Sequence, residues 1–255
     1  MTAFRLALGF LTVIPVRPVA EIGRRQARAA MLLAPFAVLP VALLAALAGW
    51  AGLEVGLPSA LAGLLVVAVV TLGTRALHLD GLADAVDGLG SGPDREKSLR
   101  ILRSGDVGPM GVVALVLVIG VQALGYGAAL DRPWGWVVVA VALAGSRVAL
   151  SQGCARGVPA ARPDGLGALF AGSVPVVAVV AGWLGLAGAL AGALGATGRT
   201  WWPGVLGAAL AAGAAGWLLR RSVQRFGGMT GDVLGALVEV TSGVLALVLA
   251  AGVAG

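Results

Sequence analysis

Three aspartates carry the first suggestion of chemistry. In the stretch HLDGLADAVDGLGSG, His78 to Gly92, the residues Asp80, Asp84 and Asp87 stand at i, i+4 and i+7. If that stretch is helical, their carboxylates line one stripe. Like charges stacked in this way repel, and a divalent cation relieves the repulsion. An all-oxygen donor set suits Mg²⁺ or Mn²⁺ better than zinc. Gly81, Ala83 and Ala85 leave room beside the stripe. His78 is the sole histidine and falls roughly opposite the stripe on a continuous helix. It could act as a base or hydrogen-bond donor where the helix unwinds, or be an ordinary interfacial histidine. The following GLGSG, Gly88 to Gly92, is a flexible loop that lacks the Lys and Ser/Thr of a P-loop.

A second acidic pair lies near the end of the chain. In FGGMTGDVLGALVEV, Phe226 to Val240, Asp232 and Glu239 are seven residues apart and share a helical face. Glu239 falls inside an otherwise apolar run, where an ionisable group implies a function because its burial is costly. Asp232 is expected to complete the metal site begun by Asp80, Asp84 and Asp87, which brings the last helix against the second. Between the two acidic regions, DREKSLRILRSGDVGPMG, Asp94 to Gly111, mixes Arg95, Lys97, Arg100 and Arg103 with Leu99, Ile101 and Leu102. Such an amphipathic segment lies at a membrane interface, where its cations either anchor topology or meet a phosphate-bearing substrate.

The elements that must position these residues are transmembrane helices. Hydrophobic residues make up 59% of the 255 and charged residues 12%, about half the charged share of a soluble domain. Apolar runs of about 20 residues, enough to span the hydrocarbon core, recur at 29–52, 57–77, 108–130, 134–152, 173–194, 201–219 and 233–252. The runs are continuously apolar rather than alternating, which excludes a β-barrel. The expected fold is therefore all-α: a polytopic integral membrane bundle of about seven helices, forming a single domain over 1–255. Phe4 to Val16 reads as a short interfacial or re-entrant helix ending at Pro15, with no signal-peptide cleavage site after it. The single cysteine, Cys154, excludes an internal disulfide and is expected to be a packing residue. Glycines inside the spans permit close helix approach. They leave a homo-oligomer open without naming its face.

Basic residues set the expected orientation. With the N-terminus in the cytoplasm, only Arg132 and Arg199 of the eighteen Lys and Arg fall outside. Most acids sort the same way, Glu21 and Asp164 among them, while Glu54 and Asp131 fall outside. The inner-face loops are 17–28, 78–107, 153–172 and 220–232, and the work is expected there. A net charge of +6 serves the lipid surface first and draws anionic substrates second. No basic stretch is separable from the membrane loops, which excludes nucleic-acid binding.

In four ordered stretches the sequence resembles the cobalamin synthase family, adenosylcobinamide-GDP ribazoletransferase: FLTVIPV (Phe10 to Val16), HLDGLADAVDGL (His78 to Leu89), GPMGV (Gly108 to Val112) and GGMTGDVLGA with Glu239. ARPDGLG, Ala161 to Gly167, is a weaker fifth. The resemblance implies a Mg²⁺-dependent enzyme of the cytoplasmic (inner) membrane of a prokaryote. Its substrates would be adenosylcobinamide-GDP and α-ribazole or its 5′-phosphate, giving adenosylcobalamin or its 5′-phosphate and GMP. On that reading Asp80, Asp84, Asp87 and Asp232 hold Mg²⁺, and Glu239, His78 or an uncommitted aspartate is the base. Arg100, Arg103, Arg156 and Arg162 would contact the pyrophosphate. Two departures stand out: Ser104 and Asp106 replace the family's usual Asp and Arg, and APFAVL matches the first-span pattern only loosely. A CDP-alcohol phosphotransferase is the alternative, disfavoured because DGLADA has no Arg where that class carries one. A transporter is disfavoured by the gathering of polar groups at one face.

Overall fold

The computed structural model describes residues 1–19, 22–163 and 166–252. Glu21 and Asp164 lie outside them. The described residues form twelve helices: α1 (Thr2–Leu11), α2 (Arg24–Glu54), α3 (Ser59–Gly73), α4 (Leu77–Gly90), α5 (Arg95–Ser104), α6 (Pro109–Leu130), α7 (Gly135–Gly145), α8 (Val148–Gly153), α9 (Leu166–Phe170), α10 (Val176–Ala196), α11 (Trp202–Phe226) and α12 (Gly231–Ala251). Six spans have the length and apolarity to cross a bilayer, with α7 and α8 counted together as one. The pair α3 and α4 makes a seventh if its two halves count as one span. Phe36, Leu72, Leu117, Leu184 and Trp217 are exposed on the outside of the bundle. Lipid is the solvent for such a surface.

The second span does not run on through the aspartates: the chain turns by 93° between α3 and α4. Arg75 and Ala76 both take positive φ, 56° and 55°, a conformation that ordinary residues adopt only when surroundings enforce it. The enforcing contacts are visible. Arg75 Nη2 donates to the carbonyls of Gly9 and Phe10 at the end of α1, at 3.2 and 3.3 Å, and Val13 N donates to Gly73 O at 2.9 Å. α1 thus braces the corner; it is a short helix as its sequence suggests, but it ends at Leu11, ahead of the expected stop at Pro15. The aspartate stripe survives the turn because α4 is itself helical throughout.

Glycines fix the helix crossings that matter. A methyl group at Gly81 would meet the Asp232 backbone, 2.8 Å from its carbonyl oxygen, and one at Gly235 would lie 3.0 Å from His78 O. Backbone therefore packs on backbone where α4 crosses α12, as the expected meeting of the Asp80 stripe with Asp232 requires. The buried apolar residues divide into two clusters along the bundle. One joins α1, α4, α8 and the near halves of α2, α11 and α12. The other joins α7, α10 and the far halves of α2, α6 and α12. Cys154 is fully buried in the first, a packing residue as expected.

Candidate active site

The site is built where α4 crosses α12. Gly227, at φ 80°, ends α11 in the left-handed conformation that glycine adopts without strain. Met229 then exchanges backbone hydrogen bonds with the loop ahead of α9: Met229 N donates to Pro159 O at 2.8 Å, and Ala161 N donates to Met229 O at 3.0 Å. Thr230 caps α12 by accepting from Val233 N at 3.2 Å, and its hydroxyl donates to Asp232 Oδ2 at 3.1 Å. Gly227, Met229 and Thr230 thus act together to set Asp232 on the first turn of α12. An acid is favoured at that position by the helix dipole.

Across the crossing, Asp80 is exposed, and Asp84 is 8% exposed. The carboxylates of Asp80, Asp232 and Asp87 all act electrostatically on Asp84. The stripe and the last helix therefore share one concentration of negative charge. Among the described residues no three His, Cys, Asp or Glu are close enough together to hold a metal ion by themselves. Mg²⁺ commonly takes only one or two protein carboxylates and completes its shell with water and substrate phosphate. The donor chemistry at Asp84 and Asp232 fits that ion.

Asp87 has a distinct task. Its two oxygens accept from Gly108 N at 2.7 Å and Gly111 N at 2.9 Å, so it caps the N-terminus of α6 from another helix. A methyl at Gly108 would sit 2.6 Å from Asp87 Oδ1, and one at Gly111 would also collide with the carboxylate. The GPMG stretch is thereby explained: two glycines admit the carboxylate, and Pro109 at the first helical position needs no donor.

Glu239 is eight residues into α12, about 12 Å along its axis, and 6% exposed. Gln122 Nε2 donates to its Oε2 at 2.7 Å. The charge acting on it is that of Arg147, which sits 1% exposed at the break between α7 and α8. Arg147 Nη1 donates to Leu143 O at 2.7 Å and Ser146 Oγ at 2.9 Å. Beyond them, Tyr126 Oη donates to Ser242 O at 3.0 Å. This interior polar set escaped the reading by segments. Arg147, which the charge distribution places at the inner surface, is instead inside the bundle; an ionisable residue within the apolar run 134–152 is the signal for it. Polar groups are therefore not confined to one face. His78 is also buried, with neither ring nitrogen hydrogen-bonded. Asp80, two residues further on, is exposed, so the two differ in burial although both border a cleft between α4 and α12.

The basic residues separate into free and engaged. Arg100, Arg103 and Arg156 are exposed; Arg100 lies 3.9 Å from Glu96. Arg162 Nη2 donates to Leu99 O at 3.0 Å, and its charge acts on Asp232. Arg95, not singled out as a site residue, ties α5 to its surroundings through Phe226 O at 2.8 Å and Ala161 O at 3.1 Å. Asp94 caps α5. Its Oδ1 accepts from Lys97 N and Glu96 N, and these bonds hold its carboxyl below the usual range. At the Ser104–Asp106 departure, Gly105 ends α5 at φ 70° and Asp106 N donates to Ser104 Oγ at 3.4 Å.

Comparison with known proteins decides the family. The sequence model described as cobalamin-5-phosphate synthase matches residues 3–250. The chain belongs to the cobalamin-5-phosphate synthase family. Relatives named adenosylcobinamide-GDP ribazoletransferase include one from Nocardioides sp., 44% identical over 93% of each chain. Another, from Frankia casuarinae, is 40% identical over 98% of this chain and 95% of its own. A third, from Bradyrhizobium diazoefficiens, is 38% identical over 97% and 92%. No solved structure gives a significant match. In this cobalamin-5-phosphate synthase family member, the crossing of α4 and α12 brings aspartates from separate helices together near solvent.

Proposed function

We propose that this membrane protein is an adenosylcobinamide-GDP ribazoletransferase that works at the cytoplasmic face of a prokaryotic inner membrane. The observation that carries the reading onto residues is the meeting of Asp80 and Asp84 with Asp232 through the Gly81–Gly235 contact. In the reaction a ribose hydroxyl of α-ribazole, or of its 5′-phosphate, attacks the phosphorus attached to cobinamide. A new P–O bond forms as the phosphoanhydride P–O bond breaks, and GMP leaves.

Such a transfer needs positioning and charge neutralisation more than covalent help from the protein. Asp84 and Asp232 would hold Mg²⁺, which supplies neutralisation of the pyrophosphate. Asp80, the most exposed of the three, takes the hydroxyl proton. Asp87 stays on α6, and Glu239 stays with Gln122 and Arg147, so neither serves as base. Arg100, Arg103 and Arg156 are exposed and would meet the pyrophosphate, while Arg162 orders the loop beside Asp232.

Purified protein in liposomes, given Mg²⁺, adenosylcobinamide-GDP and α-ribazole, is expected to release GMP and form adenosylcobalamin. Chelation is expected to stop the reaction and added Mg²⁺ to restore it. Absence of product with all components present rejects the assignment.

A further inference from the structure

α1 and α9 carry none of the proposed chemistry, yet both border the aspartates. With α4, α8 and α12 they enclose a cleft of about 160 Å³ whose lining includes Asp80 and Asp232. Its remaining walls are apolar, with Phe10, Leu11, Leu150, Phe170 and Leu234 among them, except for His78, whose ring nitrogens have no hydrogen-bond partner. Leu11, Leu150 and Phe170 are at most 2% exposed, whereas Asp80 is exposed and Asp232 half-buried. The carboxylates therefore stand at the solvent side, and the depth is apolar apart from the single imidazole of His78. The rings of Phe10 and Phe170 stack with centroids 6.0 Å apart and planes 30° from parallel. Arg75 and the turn after α1 hold Phe10 in this wall, which gives the FLTVIPV stretch a task.

We infer that this cleft receives the benzimidazole ring of α-ribazole and presents its ribose to Asp80 and Asp232. The inference rests on the ribazoletransferase reading. Of the parts of the two substrates, a corrin ring is far too large for the cleft. Guanine carries donors and acceptors along both edges, more than the one imidazole of His78 can meet, and the rest would be left unmet against Phe and Leu at a substantial cost. Dimethylbenzimidazole is flat, bicyclic and apolar, with a single free ring-nitrogen acceptor, and it gains from aromatic side chains. The riboside joins that ring directly to the sugar that must react. Seating the ring among Phe10, Phe170 and Leu150 therefore leaves the ribose at the carboxylates that border the same cleft.

Three measurements on protein in liposomes test this. Free 5,6-dimethylbenzimidazole is expected to inhibit the wild type competitively against α-ribazole and not against adenosylcobinamide-GDP. Phe10→Ala is expected to raise KM for α-ribazole about ten-fold, with KM for adenosylcobinamide-GDP unchanged; Phe10→Leu should recover most of the loss. Leu150→Asn is expected to shift the ratio of kcat/KM toward the α-riboside of adenine. Should a variant fail to fold, the wild-type inhibition pattern still decides. An active wild type that shows no competition by the free base overturns the cleft assignment alone. A wild type that releases no GMP overturns the ribazoletransferase reading and this inference with it.

Discussion

Asp84 and Asp87 are three residues apart on α4 and each 8% exposed, yet they belong to different parts of the molecule. Asp87 gives both oxygens to the amides that open α6. Asp84 faces the carboxylates of Asp80 and Asp232. Glu239 repeats the contrast on α12: it shares a helical face with Asp232 but is met by Gln122 and Arg147 instead of open solvent. Spacing tells which acids share a stripe. Only the neighbours tell which of them are already occupied, and an occupied carboxylate contributes stability where a free one can contribute chemistry.

The largest effect should come from the free member. Asp84→Asn is expected to lower kcat by about 10³-fold, the scale of losing a main electrostatic stabiliser of phosphoryl transfer. The thermal midpoint in detergent should hold or rise, because a repelling charge is gone. A variant that loses activity and fold together would erase the distinction between Asp84 and Asp87.

Glu239→Gln comes next and should strike the fold. It leaves Arg147 charged and buried without its acidic counterpart, a loss of about 3 kcal/mol. The double variant Glu239→Gln with Arg147→Met removes both charges and should regain most of the stability and of the activity. A folded but inactive double variant would make Glu239 the base and break the comparison.

Asp87→Ala should cost about 1–2 kcal/mol, the range for losing a helix cap with its buried amides. Gly111→Ala should produce a similar defect with the aspartate still present, since its methyl would displace the carboxylate. Denaturation measured for both variants, with activity expressed per folded molecule, separates this capping role from catalysis.

Much of this architecture was legible in the residues. Apolar runs located the spans, and the acidic stretches His78 to Gly92 and Phe226 to Val240 marked the elements that would meet. The meeting of α4 with α12 followed from placing Asp232 beside the stripe. The corner at Arg75 and Ala76 was not legible, because neither residue favours positive φ and the bonds from α1 that enforce it span 65 and 66 residues. Nor was the capping by Asp87, which depends on amides 21 and 24 residues away. Arg147 was hidden by proximity to a span end: counting charges by segment sends such a residue to the surface, although the break between α7 and α8 carries it inside.

The smallest effect tests the far side of the same comparison, among the cations. Arg100 and Glu96 are an i, i+4 pair on α5 at 3.9 Å, with side chains 69% and 87% exposed. Water screens so open a pair, so Glu96→Gln should move the thermal midpoint by less than about 2 °C. The charge nevertheless lies beside a guanidinium proposed to meet the pyrophosphate. Removing it should lower KM for adenosylcobinamide-GDP slightly, and only while Arg100 is present. An unchanged KM in Glu96→Gln, with the same KM in Arg100→Gln, would remove Arg100 from the substrate path and leave that contact to Arg103 and Arg156.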